Sequence, residues 1–482
     1  MKCFESIRLF SSITIFSKSS GFGKCGVAVI RVSGENTNKA LKALTNFDNF
    51  KPRFATLKQI KDPETNILID NGLILYFKSP KSFTGEDCCE FQVHGGPAVI
   101  TAILNALSKV DGLRPALPGE FTKRAFYNGK MDLTEVEGLA DLIHAETEYQ
   151  RRQALIQADG HLSNLYKKWR TQLIRNIAHI EAFIDFSEDE NIEDDVLEVM
   201  EKDLHCLEKE IKQYLVDGRK GERLRDGVKM AIVGETNVGK SSLMNVIVQR
   251  DISIVTNIEG TTRDIVESHY DIGGYPVVIA DTAGLRESKD IVESEGILRA
   301  KKYASNADFI LILIDGEKME KLLKDFEKEN VEKYIKEYKN RLGLDDGFRE
   351  CKQMLTIINK IDLVSCRNKE ILKSCNFLGI SCTKAINIQE ALEEIKENLQ
   401  NLCGNPTSES PLLSQARHRH YLQNCLKSIQ DFLSNFDQSN EQDFAILVQS
   451  LRNAVRCIGH LTGEVRTDDI LDVIFKDFCI GK

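Results

Sequence analysis

One stretch narrows the fold more than any other. The apolar run VKMAIV (residues 228 to 233) passes into Gly234-Glu-Thr-Asn-Val-Gly239-Lys240-Ser241, which passes into the helical SSLMNVIV. This is G-x-x-x-x-G-K-[ST] between a strand and a helix. Its glycines let backbone N–H groups wrap phosphates, Lys240 reaches the β and γ phosphates, and the Ser241 hydroxyl serves Mg²⁺. Strands and helices alternate onward to about residue 400, which commits this region to a mostly parallel sheet.

Three further pieces follow in a fixed order. Gly260-Thr-Thr262-Arg-Asp264 offers a threonine that can close the Mg²⁺ shell when a γ-phosphate is present. Asp281-Thr-Ala-Gly284, after the strand YPVVIA, offers a carboxylate toward the metal; both are switch elements. Asn359-Lys-Ile-Asp362 closes the strand MLTII, and an Asp carboxylate there accepts two N–H bonds from guanine that adenine, lacking the 2-amino group, cannot give. Ser381-Cys382, after FLGI, sits where the guanine-oxygen loop belongs. Taken singly, Asp362 is a turn acid and Thr262 a helix cap; taken in order, the set reads as a GTPase. Leu285 stands where Ras-type enzymes place the glutamine that orients water. The chemistry of Arg286-Glu287-Ser-Lys-Asp290-Ile-Val-Glu293-Ser-Glu295 leaves several acids open for that task.

Around this centre the texture changes. Residues 21 to about 130 alternate strand-like runs, such as GVAVIRVSG and LILYF, with helical spacing at 40 to 44 and 98 to 110. Residues 132 to 218 are helical and poor in Gly and Pro. GRKGERLRDG (218 to 227) reads as a basic linker, 316 to 352 as solvated charged helix, and the chain after GNPTSESP as helical again. With 482 residues, 42% apolar and 28% charged, the chain holds several folded domains. Its net charge of −9 does not advertise an autonomous nucleic-acid binder held by counterion release, so an RNA substrate needs a local patch or a partner. The 13 cysteines include no C-x-x-C pair, which fits scattered thiols in a reducing compartment. No apolar run reaches the length of a membrane span. Residues 1 to 20 carry six serines, Lys2, Arg8 and Lys18 against one acid, Glu5, which suits either an organellar transit segment or a partly strand-forming start.

These residues and others resemble the MnmE/TrmE tRNA-modification GTPases, most closely a mitochondrial member. The likeness extends over nearly the whole chain. Outside the GTPase motifs it rests on Phe83-Thr-Gly-Glu-Asp87, His94-Gly-Gly96, Pro118-Gly-Glu-Phe-Thr-Lys-Arg-Ala-Phe126, Asn128-Gly-Lys130-Met-Asp-Leu133 and the terminal Phe478-Cys479-Ile-Gly-Lys482. The resemblance implies a multidomain α/β protein. A possible transit segment occupies 1–20, an α+β folate-binding and dimerisation domain 21–130, and helical segments 131–221 and 403–482; an inserted Ras-like P-loop GTPase domain spans 222–402.

It also implies roles for single residues. Arg31, Glu90, Lys130 and Lys482 would hold a tetrahydrofolate derivative, 5-formyl or 5,10-methylene; from the residues alone, Arg31 and Glu90 read as a strand-edge charge and its ladder partner. Asn237, Thr256, Ile258 and Thr261 would hold K⁺, and Ser241 and Thr262 Mg²⁺. The expected GTP contacts are Asn237, Val238, Gly239, Lys240, Ser241 and Ser242, then Thr256, Asn257, Ile258, Glu259, Gly260, Thr261 and Thr262. They continue with Asp281, Thr282, Ala283 and Gly284, with Asn359, Lys360, Ile361 and Asp362, and with Ser381 and Cys382. The water-orienting glutamate falls on Glu293, and Cys479 is a catalytic candidate for tRNA modification, against the plain alternative of a buried thiol.

The resemblance further implies a homodimer working with an FAD-dependent MnmG/GidA-type subunit on carbon 5 of the wobble uridine of mitochondrial tRNAs. The product is taurinomethyluridine or carboxymethylaminomethyluridine, and the expected location is the mitochondrial matrix, with the cytoplasm as alternative. The rival reading is a regulatory GTPase switch in ribosome or RNA biology without modification chemistry. The chain departs from the family pattern at Glu235-Thr236, where a proline usually precedes the Asn, at SKSSGFGKCG near the N-terminus, and in the charged stretch 316 to 352.

Overall fold

Two runs of strands in the sequence become two six-stranded sheets in the structure, a computed structural model. It describes residues 13–21, 23–186, 195–216, 219–249, 267–280, 304–323, 325–344, 353–407, 411–436 and 444–465, together with 474, 478 and 481. The chain divides into two compact units, one of residues 1–140, 157–171 and 455–482, the other of 141–156 and 172–454.

In the first unit the strands are β1 (Thr14–Lys18), β2 (Cys25–Ser33), β3 (Thr56–Lys61), β4 (Leu68–Phe77), β5 (Cys88–Gly95) and β6 (Leu113–Pro115). They lie in the order β3-β4-β5-β2-β1-β6, antiparallel except for the parallel pair β1 and β6. The helices Thr37–Thr45 and Pro97–Ser108 bury Leu41, Leu44, Ile103 and Leu107 in a core with Phe16, Ile30, Val32 and Phe91. Strand β1 corrects the N-terminal boundary. Thr14–Lys18 belongs to the segment read as a transit peptide, yet it pairs with β2 on one side and β6 on the other. Ile15 and Phe16 are buried on opposite faces, in separate apolar clusters, so the folded unit begins before residue 21. Residues 1 to 12 lie outside the described residues.

In the second unit the strands are β7 (Val228–Val233), β8 (Glu267–Ile272), β9 (Tyr275–Ala280), β10 (Phe309–Asp315), β11 (Gln353–Asn359) and β12 (Leu378–Gly379). Their order is β12-β11-β10-β7-β9-β8, parallel throughout except for the β8–β9 hairpin. Strand β10, FILILID, is buried at every position, as a central parallel strand covered on both faces must be. Phe309, Leu311 and Leu313 face one core; Ile310, Ile312 and Ile314 face the other. Also in this unit, the helices Asp195–Leu215 and Ala416–Phe436 meet through Gln430, whose amide donates to Glu208 at 2.8 Å, and Arg419, which donates to the Leu215 carbonyl at 2.8 Å.

Two expectations for this unit change. GRKGERLRDG is not an open linker: Lys220–Asp226 is a helix, and its Gly221 lies so close to the Leu413 carbonyl that a Cβ would not fit. The charged stretch 316 to 352 is more than solvated surface. Its helices Gly316–Leu322 and Lys328–Arg341 bury Met319, Val331, Ile335 and Tyr338 against β7 and β10. The spacing 331, 335, 338 is one helical stripe, outnumbered in the composition by the Lys and Glu of the opposite face.

Because Phe16 is 2% exposed in a packed core, Phe16→Ala is expected to cost about 3–5 kcal/mol. Amide exchange in β2 and β5 under mild denaturant reads this directly. Unchanged protection there would show that β1 is not part of the core.

Candidate functional site

Among the described residues, the phosphate loop, Asn359–Asp362 and Ser381-Cys382 come together at the carboxyl end of the second sheet. Strand β7 lies between β9 and β10, where connections run outward in opposite directions, so a crevice opens beyond its carboxyl end. The phosphate loop fills that place, and the Lys240–Gln249 helix starts directly behind it. Asn237 at φ 62° and Gly239 at φ +97° turn the loop's backbone. Asparagine tolerates the left-handed region; at Gly239 a Cβ would also overlap the Asn359 amide nitrogen. Lys240 Nζ donates to the carbonyls of Gly234 at 2.8 Å and Glu235 at 2.7 Å, which bends the side chain back over the loop. Burial pushes its pKa down, opposed by the charge of Glu235, so an anionic ligand has a poorly solvated ammonium to meet.

Asn359, at the end of β11, ties this loop to the base-side loop. It is 3% exposed; its Nδ2 donates to the Val238 carbonyl at 2.8 Å and its Oδ1 accepts from the Cys382 amide at 3.3 Å. Lys360, at φ 61°, reaches Asp315 at 2.6 Å, and Asp315 in turn caps the Gly316–Leu322 helix. Ile361 anchors the turn through its amide, which donates to the Ile380 carbonyl at 3.0 Å. Asp362 is the telling residue, because its Oδ1 is buried with no hydrogen-bond partner among the described residues. A buried carboxylate oxygen without a donor is costly, so this atom is poised to accept from a ligand N–H. Ser381 is fully buried and its hydroxyl accepts from the Lys384 amide at 3.1 Å, while burial raises the Cys382 thiol to about 11.

Not all expected residues are placed. Ser241 and Ser242 open the helix after the loop. Thr256, Asn257, Ile258, Glu259, Gly260, Thr261, Thr262, Asp281, Thr282, Ala283, Gly284 and Glu293 lie outside the described residues, as do Cys479 and Lys482. Sequence reasoning missed Tyr338, whose hydroxyl accepts from the Glu235 amide at 2.8 Å. Its buried stripe position in the Lys328–Arg341 helix was the available signal.

In the first unit, Arg31 on β2 and Glu90 on β5 stand directly opposite in the ladder and are paired at 2.9 Å, each only partly exposed. The Arg31 guanidinium lies 5.0 Å from the Phe83 ring centre and 5.8 Å from that of Phe121. The Phe83–Asp87 loop is fixed from several sides. Ser33 Oγ donates to Glu86 at 2.7 Å, Arg124 reaches the same carboxylate at 3.0 Å, and Asn128 donates to the Thr84 carbonyl at 2.7 Å. Arg124 also pairs with Glu120 at 3.0 Å, as does Arg114 at 2.6 Å. Burial would raise the Glu120 carboxyl, but hydrogen bonds from Arg114, the Leu117 amide and Arg124 outweigh it and hold the group low. Lys130, exposed, donates to the Pro80 carbonyl at 3.1 Å and lies along Gly85. Gly481 reaches the end of β1, where the Ser19 hydroxyl donates to its carbonyl at 2.8 Å. Ser17, two residues earlier, pairs in register with Arg31.

Comparison with known proteins decides the family. A profile described as the MnmE helical domain matches residues 133–479, and one described as the GTP-binding protein TrmE N-terminus matches 14–130. The chain belongs to the MnmE/TrmE family. A mitochondrial 5-taurinomethyluridine tRNA synthase subunit, GTPB3, of Danio rerio is 46% identical over 97% of this chain and 93% of its own length. The Homo sapiens protein of the same description is 44% identical over 98% and 94%. The tRNA modification GTPase MnmE of Rickettsia rickettsii is 45% identical over 97% of this chain and 100% of its own. The TrmE match begins at Thr14, the first residue of β1.

A Gly239→Ala variant is expected to weaken GTP binding by about tenfold or more, through backbone strain and displacement of Asn359. Fluorescent-nucleotide titration measures it. Full affinity in that variant would separate Asn359 from the ligand-binding form of the loop.

Proposed function

We propose that this protein is a K⁺-activated GTPase that, with an FAD-dependent MnmG/GidA-type subunit, modifies carbon 5 of the wobble uridine, U34, in mitochondrial tRNAs. The observation that carries the GTPase half is the junction at Asn359, which ties the phosphate loop to the Ser381-Cys382 loop, together with the partnerless oxygen of Asp362 three residues on. That arrangement accepts a guanine edge at one end and a polyphosphate at the other. The similarity to mitochondrial 5-taurinomethyluridine tRNA synthase subunits supports the tRNA half, the mitochondrial location and taurinomethyluridine as the product.

In this reading Lys240 and the loop amides stabilise charge on the β and γ phosphates, and the Asp362 carboxylate selects guanine. Ser241 and Thr262 hold Mg²⁺, while Asn237, Thr256, Ile258 and Thr261 hold K⁺. The two cations neutralise phosphate charge when bound. Asn237 is exposed, which supports its side chain as a cation contact. Glu293 orients the attacking water, and Cys479 acts in tRNA modification. Arg31, Glu90, Lys130 and Lys482 hold the tetrahydrofolate derivative, 5-formyl or 5,10-methylene, that supplies the one-carbon unit. The half-buried Phe83 ring beside Arg31, on the anchored Phe83–Asp87 loop, supports a flat heterocycle with an acidic tail as the ligand. The 222–402 GTPase domain is inserted between helical segments 131–221 and 403–482, and two copies of the chain form the working unit.

Mass spectrometry of wobble uridines in mitochondrial tRNA from cells lacking this protein tests the function. Loss of the 5-substituted uridine, restored by the wild-type chain and not by Cys479→Ser, is the expected result. Unchanged uridines would favour the regulatory switch without modification chemistry. For the cation assignment, GTP hydrolysis is expected to rise severalfold in K⁺ over Na⁺ at equal ionic strength. Indifference to the cation would remove Asn237 from its role.

A further inference from the structure

The phosphate loop of this chain is held from outside the nucleotide motifs by one residue of the charged stretch. The Tyr338 hydroxyl accepts from the Glu235 amide at 2.8 Å and donates to the Leu313 carbonyl of β10 at 3.0 Å. The Glu235 N–H and the Gly234 C=O belong to one planar peptide and point in opposite directions. That same Gly234 carbonyl accepts from Lys240 Nζ at 2.8 Å. A rotation of this peptide about its flanking bonds would therefore break the tyrosine contact and carry the carbonyl away from the lysine together. Gly234 also permits the approach, since a Cβ there would stand 2.5 Å from the Leu313 carbonyl.

The geometry points to Tyr338 as a positioning residue for Lys240, acting through the Gly234–Glu235 peptide; this rests on the GTP reading of the site. The tyrosine suits the task because it is 1% exposed and packed in the core with Val331 and Ile335. Burial also raises its pKa, so it stays a neutral hydroxyl that accepts and donates at once. Charged neighbours assist from the surface. Glu235 pairs with Lys318 at 3.5 Å and with Arg341 at 3.4 Å, and the Arg341 guanidinium lies 5.5 Å from the Tyr338 ring centre. Both cationic side chains are about half exposed, so these pairs contribute little beside the buried hydroxyl. The chain's departure at Glu235-Thr236 thus has a structural partner in its other departure, the charged stretch.

A double-mutant cycle in the full-length protein tests this. Tyr338→Phe keeps the ring in the core and deletes only the bridging oxygen. It is expected to weaken a fluorescent GTP analogue about tenfold, the scale of leaving a buried carbonyl and a loop amide without a partner. In a Lys240→Ala background the same change is expected to cost almost nothing, because the group it positions is gone. GMP, whose single phosphate lies short of Lys240, is expected to bind wild type and Tyr338→Phe equally. An equal loss in both backgrounds, or for GMP as for GTP, would make Tyr338 a general structural residue. No loss at all would overturn its role while leaving the GTP site intact. Failure of the wild-type protein to bind GTP would instead remove the nucleotide reading itself.

Discussion

The Asn359 side chain is the contact on which the nucleotide crevice depends. It is one buried amide with a donor and an acceptor, and both are used between segments distant in sequence, Val238 and Cys382. A buried amide satisfied at both ends is hard to move, since breaking either bond leaves a polar group without water. The strand order makes this possible. Strand β10 separates β7 from β11, so the loop after β7 and the end of β11 reach each other only across the carboxyl edge of the sheet. That edge is where Gly239 must lack a side chain. The positive backbone angle and the close approach are two reasons for the same glycine.

The first unit solves a different problem with charge. Its Phe83–Asp87 loop is pinned by Glu86 and Arg124, and Arg124 also meets Glu120, all nearly buried. Such pairs add little net stability, because taking each charge out of water offsets most of the attraction. Their effect is on position. With Glu86 fixed to both Ser33 and Arg124, the loop presents Phe83 to Arg31, and Arg31 is already paired across the ladder to Glu90. The plain reading of Arg31 and Glu90 as ladder partners is therefore correct as geometry.

Much of the molecule was legible in the chain itself. The strand before Gly234, the all-apolar β10, the helix after Lys240 and the order of the GTPase motifs all follow from local pattern, because apolar periodicity and glycine placement act over short distances. The misreadings also share a cause. Lys220–Asp226 was masked by its bases, and the helix of Tyr338 by its Lys and Glu, since composition averages over the two faces of a helix. Strand β1 was masked by serines that also suit a transit segment, and its place between β2 and β6 rests on pairing partners far along the chain.

What the sequence determined by itself is the chemistry on offer: a lysine and glycines for phosphate, a carboxylate for guanine, and the family those residues share with their relatives. What only the tertiary structure decided is which groups hold which. Tyr338 beneath the phosphate loop and Asn359 between two loops are relations among residues 103 and 121 positions apart, and the buried, partnerless oxygen of Asp362 is likewise visible only after folding. Hydrogen bonds of that kind depend on angle and distance after folding, and residue type encodes neither.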